Sequence, residues 1–132
     1  FERNKKVMSL INLISQKIRW DLGDILFFVQ GNGEVTLIVD RKNSIKFDSL
    51  TSSIIEKREG LAILSLRESD EFKNYSKVVN GFLAFLTSTL ADNNISIVDI
   101  ASTYKQIIFL LDEKDVVTAY ETLNKFISNI KN

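Results

Sequence analysis

Gln30, Asn32 and Glu34 stand within one short stretch, Val29-Gln30-Gly31-Asn32-Gly33-Glu34. They offer an amide, a carbonyl and a carboxylate, a set that can surround the amino group of a small ligand. A plain hairpin turn accounts for the same residues, so both readings stand. Phosphate cradling by Gly31-Asn32-Gly33 does not fit, because no helix follows and no lysine stands where a phosphate loop needs one. Ser102-Thr103-Tyr104-Lys105 has the S-x-x-K spacing of serine acyl-transferases, but those enzymes place it at the start of a helix and here it bridges two strand-like runs. Ser102 and Thr103 keep a simpler use, as hydroxyls at a turn that can touch a ligand. Asp112-Glu113-Lys114-Asp115 holds three carboxylates, yet a solvated turn in which Asp115 caps a helix explains it without a metal. Asp99 interrupts an apolar run and is expected to face water or an interface, since an unpaired buried carboxylate is costly.

Composition narrows the chemistry further. The 132 residues contain neither cysteine nor histidine. Disulfides, thiolate metal sites and cysteine nucleophiles are excluded, and the commonest acid–base group near neutral pH is missing. No catalytic residues, metal site or cofactor are expected, and the reading is of a non-enzyme. With 17 basic and 17 acidic side chains the formal net charge is zero, which gives no long-range attraction to a nucleic-acid backbone. No run reaches the roughly 18 apolar residues of a membrane span, so neither nucleic acid nor membrane is an expected partner, and a cytoplasmic location is expected. The chain starts at Phe1 rather than Met, and an upstream domain of the same protein is expected.

The elements that position these residues follow from periodicity. Val7, Met8, Leu10, Ile11, Leu13, Ile14 and Ile18 have helical spacing over residues 5–18. Residues 24–30 and 34–40 are β-rich runs around a turn whose glycines and asparagine tolerate positive φ, and they predict a hairpin. A weaker helix is predicted after Asn43, ending at Gly60, and a buried strand over residues 61–69. A polar loop leads into a second helix at 76–91, with Val78, Val79, Phe82, Leu83, Phe85, Leu86 and Leu90 apolar, closed by Asn93-Asn94. A second hairpin and a last helix carrying Val116, Val117, Tyr120, Leu123, Phe126, Ile127 and Ile130 complete the order α-β-β-α-β-α-β-β-α.

Sliding the chain on itself until Asp40 lies on Asp112 (112 − 40 = 72) also lays Val7 on Val79, Ile25 on Ile97 and EVTLIVDRKN on QIIFLLDEKD, without a gap. The chain is therefore two copies of one α-β-β-α unit, and the strand at 61–67 makes the second copy β-α-β-β-α. Right-handed crossovers put both helices of such a unit on one face of its sheet. The fold class is α+β, a ferredoxin-like plan in tandem, antiparallel sheets with helices on one face. The first module is drawn at 1–59, its first strand expected upstream of Phe1, and the second at 60–132. Sheet edges in this plan need partners, so a homodimer through sheet edges or helices is expected.

The second copy, ILSLRES through NKFI, resembles the regulatory tail of aspartokinases in its helix, its Asn-Ile-x-Ile step into a strand, its Asp-Glu-Lys-Asp turn and its closing helix. Gln30-Gly31-Asn32-Gly33-Glu34 is similar to the Gln-Gly-x-x-Glu hairpin of those tails. Together they resemble ACT domains, including archaeal ACT proteins with an upstream helical region. The resemblance implies βαββαβ modules that bind a small amino-acid effector between them and act on an upstream domain. It also implies contacts from the loop between first strand and first helix, here containing Ser69 and Asp70 in place of a Gly-Val-Pro-Gly-like turn, and from Asn94, which stands where a glycine is usual. A pair of modules that only dimerises or scaffolds is the alternative.

Overall fold

A computed structural model describes residues 1–67 and 81–131, with side chains placed to residue 129. The chain forms two compact units, Phe1–Lys57 and Arg58–Asn132, each with its own core.

In the first unit, α1 (Lys5–Ser15) is capped by Asn4, whose side chain accepts from the Val7 N–H. This cap satisfies one of the donors that every helix leaves open at its start. Strands β1 (Leu26–Gln30) and β2 (Val35–Val39) form the expected antiparallel hairpin, Leu26 opposite Val39 and Gln30 opposite Val35. Val7, Ile11, Ile14 and Ile18 on the helical side meet Leu26, Val35, Phe47 and Leu50 in one buried cluster. Glu2 forms an isolated antiparallel bridge with Glu34, and the Arg3 N–H donates to the Gly33 carbonyl at 2.9 Å. Residues 1–3 thus run along the outer side of β2, where the first strand of the plan belongs.

The helix predicted after Asn43 is not continuous. A single turn, α2 (Arg41–Ser44), gives way to 3₁₀ winding over Ile45–Ser53, kinked at Leu50, and residues 54–59 are outside any helix. Two features oppose a regular helix here. The serine and threonine side chains of residues 49–53 compete for backbone groups, as Thr51 Oγ1 does by donating to the Asp48 carbonyl. The apolar side chains Phe47 and Leu50 also fall at a spacing of three, which suits 3₁₀ winding. Gly60 does adopt positive φ, 73°, though it opens a strand and does not end a helix.

In the second unit, β3 (Leu61–Arg67), β4 (Ile97–Thr103) and β5 (Gln106–Asp112) make an antiparallel sheet in the order β3-β5-β4. Helices α3 (Phe82–Asp92) and α4 (Val116–Lys131) cover one face of it. Phe82, Leu86 and Leu90 from α3 and Ala119 and Leu123 from α4 pack on Leu64, Phe109 and Leu111. Asn94 closes α3 in the left-handed conformation, φ 57°, as asparagine can. Asp112 caps the 3₁₀ turn Glu113–Asp115 that leads into α4, its side chain accepting from the Lys114 N–H at 3.1 Å. The helical faces are narrower than periodicity implies, for Leu13, Leu83, Phe85, Val117 and Tyr120 are exposed. Val78, Val79 and the polar loop lie outside the described residues.

The hairpins repeat in register. Gln30 opposite Val35 becomes Ser102 opposite Ile107 (30 + 72 = 102, 35 + 72 = 107), and Phe28 opposite Leu37 becomes Ile100 opposite Phe109. The register slips only between Ile97 and Asp99. The preceding strand does not follow the same shift: Arg67 opposes Gln106 as Glu2 opposes Glu34, an offset of 67 − 2 = 65.

Candidate functional site

Gln30 ends β1, on the turn that leads to β2. Because it lies opposite Val35, a core residue, its side chain belongs to the helix-covered face of the ribbon, and Glu34, one residue before Val35, belongs to the other. The turn between them is closed by the Gly31 N–H donating to the Glu34 carbonyl at 2.9 Å. None of Gly31, Asn32 and Gly33 uses positive φ, and Asn32 is exposed at the tip. The three residues are neighbours on one turn, but the pleat sends Gln30 and Glu34 to opposite faces.

Arg3 is the residue that sequence reasoning missed. Its backbone N–H reaches Gly33, and its guanidinium donates to the Gln30 amide oxygen, Nη2 at 2.9 Å and Nε at 2.8 Å, with the amide turned so that oxygen meets the donors. Nothing local in the sequence signals this contact, which depends on residues 1–3 lying beside β2. On the opposite face the bridge sets Glu2 directly across from Glu34. The flanking bonds, Arg3 N–H to Gly33 and Val35 N–H to Phe1, mark it as the closely spaced kind of pair, so two exposed carboxylates stand side by side.

At the other end of the hairpin lies a second polar cluster. Asp24, its side chain 5% exposed, accepts from Lys42 Nζ at 2.8 Å and from the Arg19 N–H at 3.0 Å. The Lys42 ammonium, with the Arg19 N–H, holds its carboxyl at about 2 against the push of burial, and the Lys42 pKa is raised in return. Asp40 caps α2 and binds the Ile25 N–H at 2.9 Å and the Asn43 side-chain amide at 2.9 and 3.1 Å. Burial pushes Asp40 upward, but its bonds to Asn43 and Ile25 outweigh it and hold the pKa below the usual value. These contacts lock the hairpin to the following turn, and they give the first copy's aspartate and lysine of the repeat a structural role.

The remaining candidates lie in the second unit. Ser102 and Thr103 are exposed at the end of β4. Asn94 lies before the opposite end of that strand, roughly 25 Å away at about 3.3 Å per residue, so one small ligand cannot reach both. Asn94 lines a shallow surface hollow of about 720 Å³ with Thr87, Ser88, Ser96, Ile95 and Ile97. Gln106 occupies the repeat position of Glu34 and donates to Ser65 Oγ at 2.6 Å. Asp99 is exposed and folds back on the Ile100 N–H at 2.7 Å, a charge beside a bulge on an outer strand, which discourages edge pairing. Trp20 is 57% exposed and meets Phe27 edge-on, centroids 6.5 Å apart. Ser69 and Asp70 lie outside the described residues. Among the described residues no group of three or more acidic side chains is placed to hold a metal ion, and no helix is long and apolar enough to cross a membrane.

Residues 73–125 match the family model of the ACT domain. The ACT-domain match lies within the second unit. Likeness to solved structures extends over both units of the chain. The aspartokinase alpha and beta subunits share its fold at a TM-score of 0.67 and 16% identity, over 96% of this chain and 85% of theirs. The ligand-free regulatory subunit of aspartate kinase from Thermus thermophilus does so at 0.62 and 11% identity, over 94% of this chain and 85% of that one. Aspartate kinase from Clostridium acetobutylicum matches at 0.60 and 15%, where 89% of this chain covers 27% of the enzyme. No curated protein matches the chain by sequence. At these identities the likeness speaks for the fold: two ferredoxin-like ACT modules in tandem, antiparallel sheets with helices on one face.

Proposed function

We propose that this ACT pair is a non-catalytic regulatory domain that senses an amino acid, and that the hairpin Gln30 to Glu34 is its recognition element. The observation that carries the reading is the Gln30 amide oxygen, exposed at a turn and receiving two N–H donors from Arg3, the chemistry that a ligand ammonium presents. Support comes from the ACT match and from a fold shared with a regulatory subunit of aspartate kinase. Mechanistically, a ligand that binds one arrangement of modules more tightly than another shifts the equilibrium by its differential affinity and so acts on a domain linked to this one. Asn32 adds a carbonyl at the tip. Glu34 stands exposed on the other face of the ribbon. In the second module the candidates are Ser102 and Thr103 at one end of β4, Asn94 before the other, and Ser69 and Asp70.

A thermal-shift screen against the common amino acids tests it. A rise in melting temperature with one of them, lost in Gln30→Met, is the expected result; a melting temperature unmoved by every amino acid sinks the reading.

The second reading, a pair that only dimerises, draws on Leu83, Phe85, Val117 and Tyr120, exposed by 45, 55, 65 and 59% on α3 and α4. Light scattering separates the two. A dimer that forms without ligand and ignores every amino acid favours scaffolding.

A further inference from the structure

Arg3 has two exposed carboxylates close by in the fold, Glu2 beside it in the chain and Glu34 across from Glu2, yet its guanidinium binds a neutral amide. Arg19 pairs with Asp21 and Lys42 with Asp24, and Arg3 is in neither ion pair. The strand geometry explains the choice. Residues 2 and 34 point to one face of the ribbon, whereas Arg3 and Gln30 share the other, where the guanidinium reaches the amide oxygen. A guanidinium has only donors, and an amide oxygen has two lone pairs. Nη2 at 2.9 Å and Nε at 2.8 Å both meet this one oxygen.

We infer that Arg3 is a built-in pseudo-ligand of the Gln30 amide oxygen, which a ligand ammonium or guanidinium must displace to bind the hairpin. The inference rests on the reading of this hairpin as the recognition element, and it names both the ligand chemistry, a cationic N–H donor group, and the restraint on its binding. Arg3 is exposed and its side-chain contact is with another exposed residue, so displacement releases the guanidinium into water without opening the core. The backbone bond from the Arg3 N–H to Gly33 survives the exchange and keeps residues 1–3 in place.

The test uses Arg3→Ala in the whole chain, with the Gln30 side-chain amide followed by ¹⁵N NMR. Methylguanidinium chloride, well below the concentrations that unfold the protein, replaces the missing group. The Gln30 amide signal is expected to shift saturably in Arg3→Ala and to need about threefold to fivefold more ligand in the wild type, and the accompanying shift of the Gly31 backbone amide is expected to vanish in Arg3→Ala/Gln30→Met. That ratio is the scale of one exposed charge-assisted contact. No shift at Gln30 in Arg3→Ala overturns the inference, and so does equal affinity in the two proteins. The amino-acid screen is repeated on Arg3→Ala as a second arm. An amino acid that binds Arg3→Ala more tightly than wild type supports both readings, and one that binds it equally or more weakly overturns the pseudo-ligand alone. Methylguanidinium binding with no amino acid bound by either protein supports the pseudo-ligand and overturns amino-acid sensing.

Discussion

Asp40→Ala is expected to cost far more than Asp112→Ala, although the two aspartates hold equivalent places in the repeat. Asp112 makes one exposed bond, to the Lys114 N–H; losing such a cap costs about 0.5–1 kcal/mol. Asp40 accepts from the Asn43 N–H as a cap and also from the Ile25 N–H and the Asn43 side-chain amide. Asn43 is fully buried, and its Oδ1 already lacks a partner. Removing Asp40 takes away the cap, about 1 kcal/mol, and strands two further donors at about 1 kcal/mol or more each. The total is about 3–4 kcal/mol, a large share of the stability of a small domain. Urea unfolding reports it by two probes: fluorescence of Trp20, the single tryptophan, which sits in the first unit, and far-UV circular dichroism for the whole chain. The Trp20 transition should move to much lower urea in Asp40→Ala. Asp112→Ala should stay within about 1 kcal/mol of wild type by either probe, the scale of one lost cap. Equal losses in the two variants would refute the argument, because it assigns the difference to burial and bond number and not to capping as such.

Two further expectations concern charge and backbone. The Asp24 carboxyl is held at about 2 by Lys42 and the Arg19 N–H, below its ordinary value of about 3.9. Its contribution is complete above about pH 4 and is lost as pH falls toward 2, where the unfolded chain takes up the proton first. Wild type should therefore lose urea resistance across that window by Trp20 fluorescence, and Asp24→Asn should lose less of it; equal pH slopes for the two proteins contradict the assignment. At Asn94, φ 57°, glycine should be tolerated within about 0.5 kcal/mol and valine should cost about 1–2 kcal/mol, as left-handed backbone demands. Thermal melts of Asn94→Gly and Asn94→Val check this, and a neutral valine variant overturns it.

What the sequence discloses and what it hides divide along the range of the interactions. Hairpins are legible because alternation and pair register are local, and the repeat shift carries Gln30/Val35 onto Ser102/Ile107 intact. The Asn94 turn is legible because few residues accept positive φ. The stretch after Asp40 reads wrongly as a continuous helix because apolar spacing says nothing about serine and threonine side chains that compete for the backbone. Exposed Leu83, Phe85, Val117 and Tyr120 show the converse limit: apolar residues at helical spacing mark what can be buried, and the packing of a three-stranded sheet sets how much is. The candidate site is half legible. Gln30, Asn32 and Glu34 can be read together from their spacing, but which of them share a face follows from Val35 being a core residue, and the partner of Gln30 follows from residues 1–3 lying along β2. Arg3 therefore carries no signal of its own in the sequence. Its role is set by a contact between residue 3 and the hairpin, with all of α1 between them in the sequence, and a chain with the same hairpin but a residue without a side-chain donor at position 3 would lack this partner for its Gln30 oxygen.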